Sequence, residues 1–154
     1  MLLVVHSSPH RNGNLERMVI RAAEATRQDY RLIRLADFTI APCTGCVRCA
    51  HSKRCVQKDD MAPFYDELES ADGLIMGGVN YNGRVNAAAH IFLERLYPLY
   101  HRNPAFRDKP AVVVAVGGEA LKHNRKSRFR RFDDDPEIAM ACEHLGATLH
   151  KAIG

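Results

Sequence analysis

Apolar residues fall along this chain in short runs, separated by stretches with helical spacing. "LLVV" (Leu2 to Val5) is an unbroken apolar run, the pattern of a strand covered on both faces. From Leu15 to Gln28, the residues Leu15, Met18, Val19, Ala22 and Ala23 share one helical face, with Asn14 placed to cap its start. "YRLIRLAD" interleaves polar with apolar residues and predicts a second strand, at a sheet edge. A short helix is expected from about Ala62 to Ser70, then a fully apolar third strand at "GLIMGGV". Val85, Ala88, Ala89, Phe92 and Leu96 make a buried stripe on a helix that runs to about Tyr100. "AVVVAVGG" predicts the fourth strand and "ATLHKAIG" a fifth. A last helix lies between them, with Asp135 as N-cap, Pro136 at its first position and Gly146 as its stop.

Five strands alternating with four helices predict one domain, residues 1–154, built on a doubly wound parallel sheet with helices on both faces. Ligands of such sheets bind at the carboxyl ends of the strands, where chain order reverses. The loop "SSPHRNGN" lies at such an end and opens into a helix. Ser8, Asn12, Gly13 and Asn14 suit a tight turn whose N–H groups converge on a phosphate, with Arg11 adding charge. An ordinary turn with an N-cap explains the same residues. The loop is neither GxGxxG nor GxxxxGK[ST], which excludes a Rossmann dinucleotide fingerprint and a P-loop.

Composition narrows the class. The chain has 154 residues, is 46% apolar, and holds no run long enough to span a membrane. No basic leader precedes the first strand, so the cytoplasm is the expected compartment. There, clustered cysteines read as metal ligands or redox groups before disulfides. Net charge is +4, from 22 Lys and Arg against 18 Asp and Glu, too mild to argue for nucleic acid.

The cysteines are concentrated in a loop at about residues 41–61, "APCTGCVRCAHSKRCVQKDDM", where Cys43, Cys46, Cys49 and Cys55 have the spacing C-x2-C-x2-C-x5-C. Two-residue gaps suit a cubane cluster, since each thiolate must reach a different iron of one small object. A zinc site more often pairs separated knuckles or adds histidine, for which His51 is the candidate. Free thiols are the third reading. Lys53 and Arg54 suit either charge compensation of a ligated cluster or a solvated surface. Cys142 falls on an apolar helical face as a core residue. The run Lys122, Arg125, Lys126, Arg128, Arg130 and Arg131 reads either as a 2′-phosphate or nucleic-acid contact or as a solvated loop. His90 and Glu94 are spaced as an exposed helical pair.

Several segments together resemble one family. "SPHRNGNL" resembles the phosphate loop, written GSPRxxGNT, of the NADPH-dependent FMN reductase and iron–sulfur flavoprotein family. The cysteine run with "DDM" resembles that family's insertion after the second strand. "GVNYNGRVNAAAHIFLERL" is similar to its SPVYFGxVSGxLKxFIDR segment, and "VGG" at 116–118 to its third flavin loop. The resemblance covers nearly the whole chain in the family's order. It implies a flavodoxin-like five-stranded sheet of order 2-1-3-4-5, with FMN phosphate over Ser8, His10, Arg11, Asn12, Gly13, Asn14 and Leu15. The isoalloxazine would rest against Val79, Asn80, Tyr81, Asn82 and Gly83, and against Gly117 and Gly118. It further implies a [4Fe–4S] cluster on the four cysteines, and electrons from NAD(P)H or a reduced carrier. A homo-oligomer, dimer or tetramer, follows from it as well; no membrane partner is expected, because the chain has no long apolar run. The chain departs from the family pattern at His10, Leu15, Gly78-Val79 and Asn82, which removes three side-chain contacts and leaves the backbone donors. Two other functions fit parts of the pattern: a zinc-stapled nucleic-acid-binding module, and a flavin-binding relative without turnover.

Overall fold

The computed structural model of the protein describes residues 1–117 and 136–154; Gly118, Glu119, the basic segment 122–131 and the expected cap Asp135 lie outside them. In chain order come β1 (Leu2–His6), α1 (Asn14–Ala25), β2 (Tyr30–Arg34), a 3-10 turn (Leu35–Asp37), α2 (Arg48–Ser52) and α3 (Phe64–Ser70). Then follow β3 (Gly73–Tyr81), β4 (Arg84–Val85), α4 (Ala87–Glu94), α5 (Tyr97–Arg102), a second 3-10 turn (Pro104–Asp108), β5 (Ala111–Gly117) and α6 (Pro136–Ile153).

Parallel pairing runs β2-β1-β3-β5, with β3 between β1 and β5. The alternation of the strands sorts their side chains to two faces. Leu3, Val5, Leu74 and Met76 pack with Phe64, Leu68, Phe92 and Leu99 of α3, α4 and α5. Leu2, Val4, Ile75 and Val114 pack on the other face with Leu15, Val19 and Ala22 of α1 and Cys142 and Leu149 of α6. The sheet is therefore doubly wound, as expected, and among the described residues β2 lies at an edge, paired only with β1. Cys142 is a core residue, 2% exposed.

Four local expectations are corrected. The first concerns "ATLHKAIG", which is no fifth strand but the second half of α6. Gly146 does not stop that helix; a Cβ there would stand 2.1 Å from the Ala22 carbonyl oxygen and 2.8 Å from Ala25 Cβ. The glycine is a crossing point that lets α6 lie against α1. Cys142, Gly146, Leu149 and Ile153 follow at helical spacing along that face.

The helix expected from Val85 to Tyr100 is divided. Val85 belongs to a hairpin, Asn86 takes the N-cap position of α4, and the chain breaks at Arg95–Leu96 before α5. Pro98 is the cause: it lacks an N–H and its ring disfavours helix just upstream, so it opens a new helix instead of extending α4. Asn14 is the first helical residue of α1, and Gly13 takes the N-cap position.

Gly146→Ala tests the crossing. In an open helix the change would stabilise by up to about 1 kcal/mol. Here it is expected to destabilise by about 1–3 kcal/mol, because the methyl group meets backbone. Urea unfolding reads the sign directly, and a more stable variant would contradict the packing.

Candidate functional site

The carboxyl end of the sheet is organised by β3, which runs past its neighbour. β1 ends at His6 opposite Gly77, whereas β3 continues to Tyr81. Beyond Gly77 one edge of β3 is free to pair with β4, and the other pairs with β5 as far as Asn80–Gly117. Asn82 (φ 54°) and Gly83 (φ 79°) are both left-handed and make a two-residue hairpin turn. That turn leaves Tyr81 more than half exposed at its base. At Gly117 a Cβ would meet Asn80 Cβ at 2.4 Å, so only glycine admits this approach.

The loop after β1 is tied to this hairpin by Ser7. Its Oγ donates to the Gly77 carbonyl (3.3 Å) and accepts from Val79 N–H (3.4 Å). Asn86 Nδ2 donates to the Ser7 carbonyl (2.8 Å) and Asn86 N–H to that of Val79 (2.8 Å). Ser8, His10 and Gly13 are neighbours: Ser8 Oγ accepts from His10 N–H (3.2 Å), and Gly13 packs on the His10 Cβ. The structure thus brings together the first two expected segments, around 8–15 and 79–83, and joins Gly117 to the second.

Two charged groups set the field around this loop. Arg11 pairs with Asp37 (2.8 Å), whose carboxylate Arg34 also holds well below its ordinary value. The guanidinium is thereby drawn toward the end of β2. Glu16, which the sequence did not single out, accepts from the left-handed Asn12 N–H (3.0 Å). Its carboxylate oxygen stands where a phosphate oxygen would be received at a helix N-terminus. Beneath it, His6 is fully buried, with Nε2 3.7 Å from Glu16, and burial pushes the imidazole below its usual range.

The cysteine loop forms a second part of the site. Cys43, Cys46, Cys49 and Cys55 all line one cavity of about 280 Å³, together with Glu94, Arg95, Tyr97 and Pro98. Gly45, Val47 and Lys53 are left-handed (φ 65°, 56° and 59°) and curl the backbone around it. Several sulfurs receive donors: Gly45 N–H lies 3.5 Å from Cys43 Sγ and an Arg95 N–H donor 3.6 Å from Cys55 Sγ. The Arg48 backbone N–H, then Thr44, hold the Cys46 thiol below its ordinary value. Burial pushes the Cys49 thiol up, and the charges of Cys55, Cys46 and Cys43 add to it. Four sulfurs around one cavity, supplied with N–H donors, fit the donor set of a thiolate-bound cluster. Among the described residues no three His, Cys, Asp or Glu are drawn onto a common metal centre.

The end of α4 holds this loop. Glu94, exposed and four residues from the exposed His90, accepts Cys43 N–H on its carboxylate (3.4 Å). Arg95 is 1% exposed and donates to Asp59 through both Nη atoms (2.6 and 2.9 Å) and to the Ala41 carbonyl (2.7 Å). Asp59 also accepts Ala41 N–H (2.9 Å) and Met61 N–H (3.2 Å), so one carboxylate closes both ends of the loop. Arg95 holds that carboxyl well below the usual range.

A sequence description of the NADPH-dependent FMN reductase family matches residues 1–128. The chain belongs to that family. Among curated proteins it is similar to iron–sulfur flavoproteins of Methanosarcina thermophila (27% identity, covering 74% of this chain and 61% of the relative) and Methanocaldococcus jannaschii (32%, covering 73% and 60%). The chain therefore spans about 60% of the length of those relatives. Family resemblance extends to folds: a flavone reductase superposes with a TM-score of 0.68 at 15% identity, covering 99% of this chain and 63% of the other. An archaeal flavodoxin gives 0.54 at 12%, covering 99% of both. The sheet is thus flavodoxin-like. Among the described residues no helix is long and apolar enough to cross a membrane.

Replacing Arg95 removes a buried guanidinium and leaves the partly buried Asp59 carboxylate without its cation. Arg95→Ala is expected to lower stability by about 3–5 kcal/mol. A loss under about 1 kcal/mol, the range of a surface pair, in denaturant unfolding would contradict the buried clamp.

Proposed function

We propose that the protein is an FMN-dependent oxidoreductase that passes electrons from NAD(P)H or a reduced carrier to an acceptor, with a [4Fe–4S] cluster on Cys43, Cys46, Cys49 and Cys55. The observation that carries the reading is the junction at the end of β3. There the loop after β1, the Asn82-Gly83 hairpin and Gly117 meet, and the first loop already holds an internal carboxylate at a helix N-terminus. Family membership supports the same reading.

The chain's own residues define what such a site does. The Asn12 N–H and the N-terminal turn of α1 offer donors to a phosphate, which would take the place of the Glu16 carboxylate. Asn80 Oδ1 and Asn86 Oδ1 are buried and accept no hydrogen bond among the described residues, so a bound ring with N–H groups would find acceptors. Tyr81 offers an exposed aromatic face, and Gly117 leaves backbone open to close approach. Bound FMN supplies the electron chemistry, and the protein supplies position and field. In this reading His10, Asn14 and Leu15 would border the phosphate and Arg11 would add long-range charge, while Gly118 is assigned to the third flavin loop from the sequence resemblance alone. The cytoplasm is the proposed compartment and a homo-oligomer the proposed assembly.

Phosphate recognition makes the reading testable. Anaerobically purified full-length protein is expected to be yellow and to bind FMN at least about tenfold more tightly than riboflavin, or about 1.4 kcal/mol. It should also oxidise NAD(P)H or a reduced carrier. Colourless protein that takes up no FMN, with zinc in place of iron, would overturn the reading for a zinc-stapled module. Bound FMN without turnover would leave a flavin-binding relative.

A further inference from the structure

Arg95 has more contacts than holding the loop requires. Its two Nη atoms close the Asp59 carboxylate and reach Ala41, yet Nη2 also faces Cys55 Sγ at 3.6 Å. Its Nε is buried and has no hydrogen-bond partner among the described residues, and the Tyr65 hydroxyl lies beside both Arg95 and Cys55. Among the described residues the donors to Cys43 and Cys46 are uncharged groups, the Gly45 N–H, the Arg48 backbone N–H and Thr44. Among the described residues, Cys55 alone of the four has a buried full charge hydrogen-bonded to its sulfur. The charge is fixed as well: the guanidinium is pinned bidentately, so it cannot turn away as a surface side chain would.

We propose that Arg95 is a positioning residue of the cysteine site, which sets the Cys55 sulfur and makes the iron–sulfur group held there easier to reduce. The inference rests on the cluster reading given above. Each reduction adds one negative charge to the cluster, and a cation with an N–H donor at one sulfur stabilises the more negative form. Asp59 moderates that effect, because its carboxylate neutralises part of the charge that Arg95 presents. The two residues therefore act on the potential with opposite signs, which a purely structural clamp would not do.

The test uses full-length protein, prepared and reconstituted anaerobically, in three forms: parent, Asp59→Asn, and Arg95→Gln combined with Asp59→Asn. The double change removes the buried pair together, so that no lone charge is left to unfold the protein. Iron per chain is measured first, and then the midpoint potentials of cluster and flavin separately, by titration followed by electron paramagnetic resonance and absorbance. Asp59→Asn is expected to raise the cluster potential. The double variant is expected to lower it by at least a tenfold change in the one-electron equilibrium constant, or ~59 mV, with the flavin potential unmoved. Iron-loaded variants whose cluster potential stays put, or moves the same way in both, would overturn the role of Arg95 while leaving the cluster reading intact. Should the double variant fail to fold, the absence of an upward shift in Asp59→Asn overturns it alone. A parent that takes up no iron would remove the cluster reading, and this inference with it.

Discussion

The structure depends on one strand outrunning its neighbour. β1 stops opposite Gly77, and the four further residues of β3 have to find partners elsewhere. They find them in β5 on one edge and in their own hairpin return on the other. The return delivers Asn86 to the point where it holds the Ser7 carbonyl and opens α4. Eight residues later that helix ends in Glu94 and Arg95, which grip the cysteine loop. Residues 73–95 thus connect the proposed flavin loops with the cysteine cavity through a strand, a hairpin and one helix.

The cysteine loop shows how a segment with little regular structure can be held. Its one helix has only five residues, and its backbone passes through left-handed conformations at Gly45, Val47 and Lys53. Order is supplied from outside. Burying a guanidinium carries a desolvation penalty of several kcal/mol, which only close pairing offsets. Asp59 provides that pairing while also capping the two backbone N–H groups of Ala41 and Met61. The anchored side of the loop carries Cys55 and the buried Cys49, whereas Cys43 and Cys46 remain exposed. A metal entering the cavity would meet the two exposed thiols first and the two less exposed ones within.

Much of this was legible in the sequence, and the exceptions have physical causes. Continuous apolar runs marked β1 and β3 because a central parallel strand has no solvated face; β5 carries the same kind of run, although Ala111, Val113 and Ala115 are exposed among the described residues. Gly146 misled because a helix stop and a helix crossing both require a missing Cβ, and only the neighbour Ala22 distinguishes them. The hairpin was signalled by Asn82-Gly83, the strongest two-residue turn pair, but the helical stripe that follows absorbed Val85. Pro98 likewise announced the split between α4 and α5. Arg95 was missed since an arginine in a helix normally reads as surface. Its spacing of three from Phe92 and four from Leu99, both buried, was the signal that it faces inward. Glu16 left no such mark, because acidic residues are common in the first turn of any helix.

The central claim is that one sheet end holds flavin and a thiolate-bound iron group on a common scaffold. Its most direct test is a crystal structure of the anaerobically purified, FMN-loaded protein with anomalous data at the iron and zinc edges. The account predicts flavin density over the ends of β1, β3 and β5, with the phosphate at Asn12 and Glu16 displaced. It also predicts one compact iron peak bounded by Cys43, Cys46, Cys49 and Cys55. A zinc peak among those sulfurs, with Glu16 still on Asn12 and no flavin at the sheet, would contradict it.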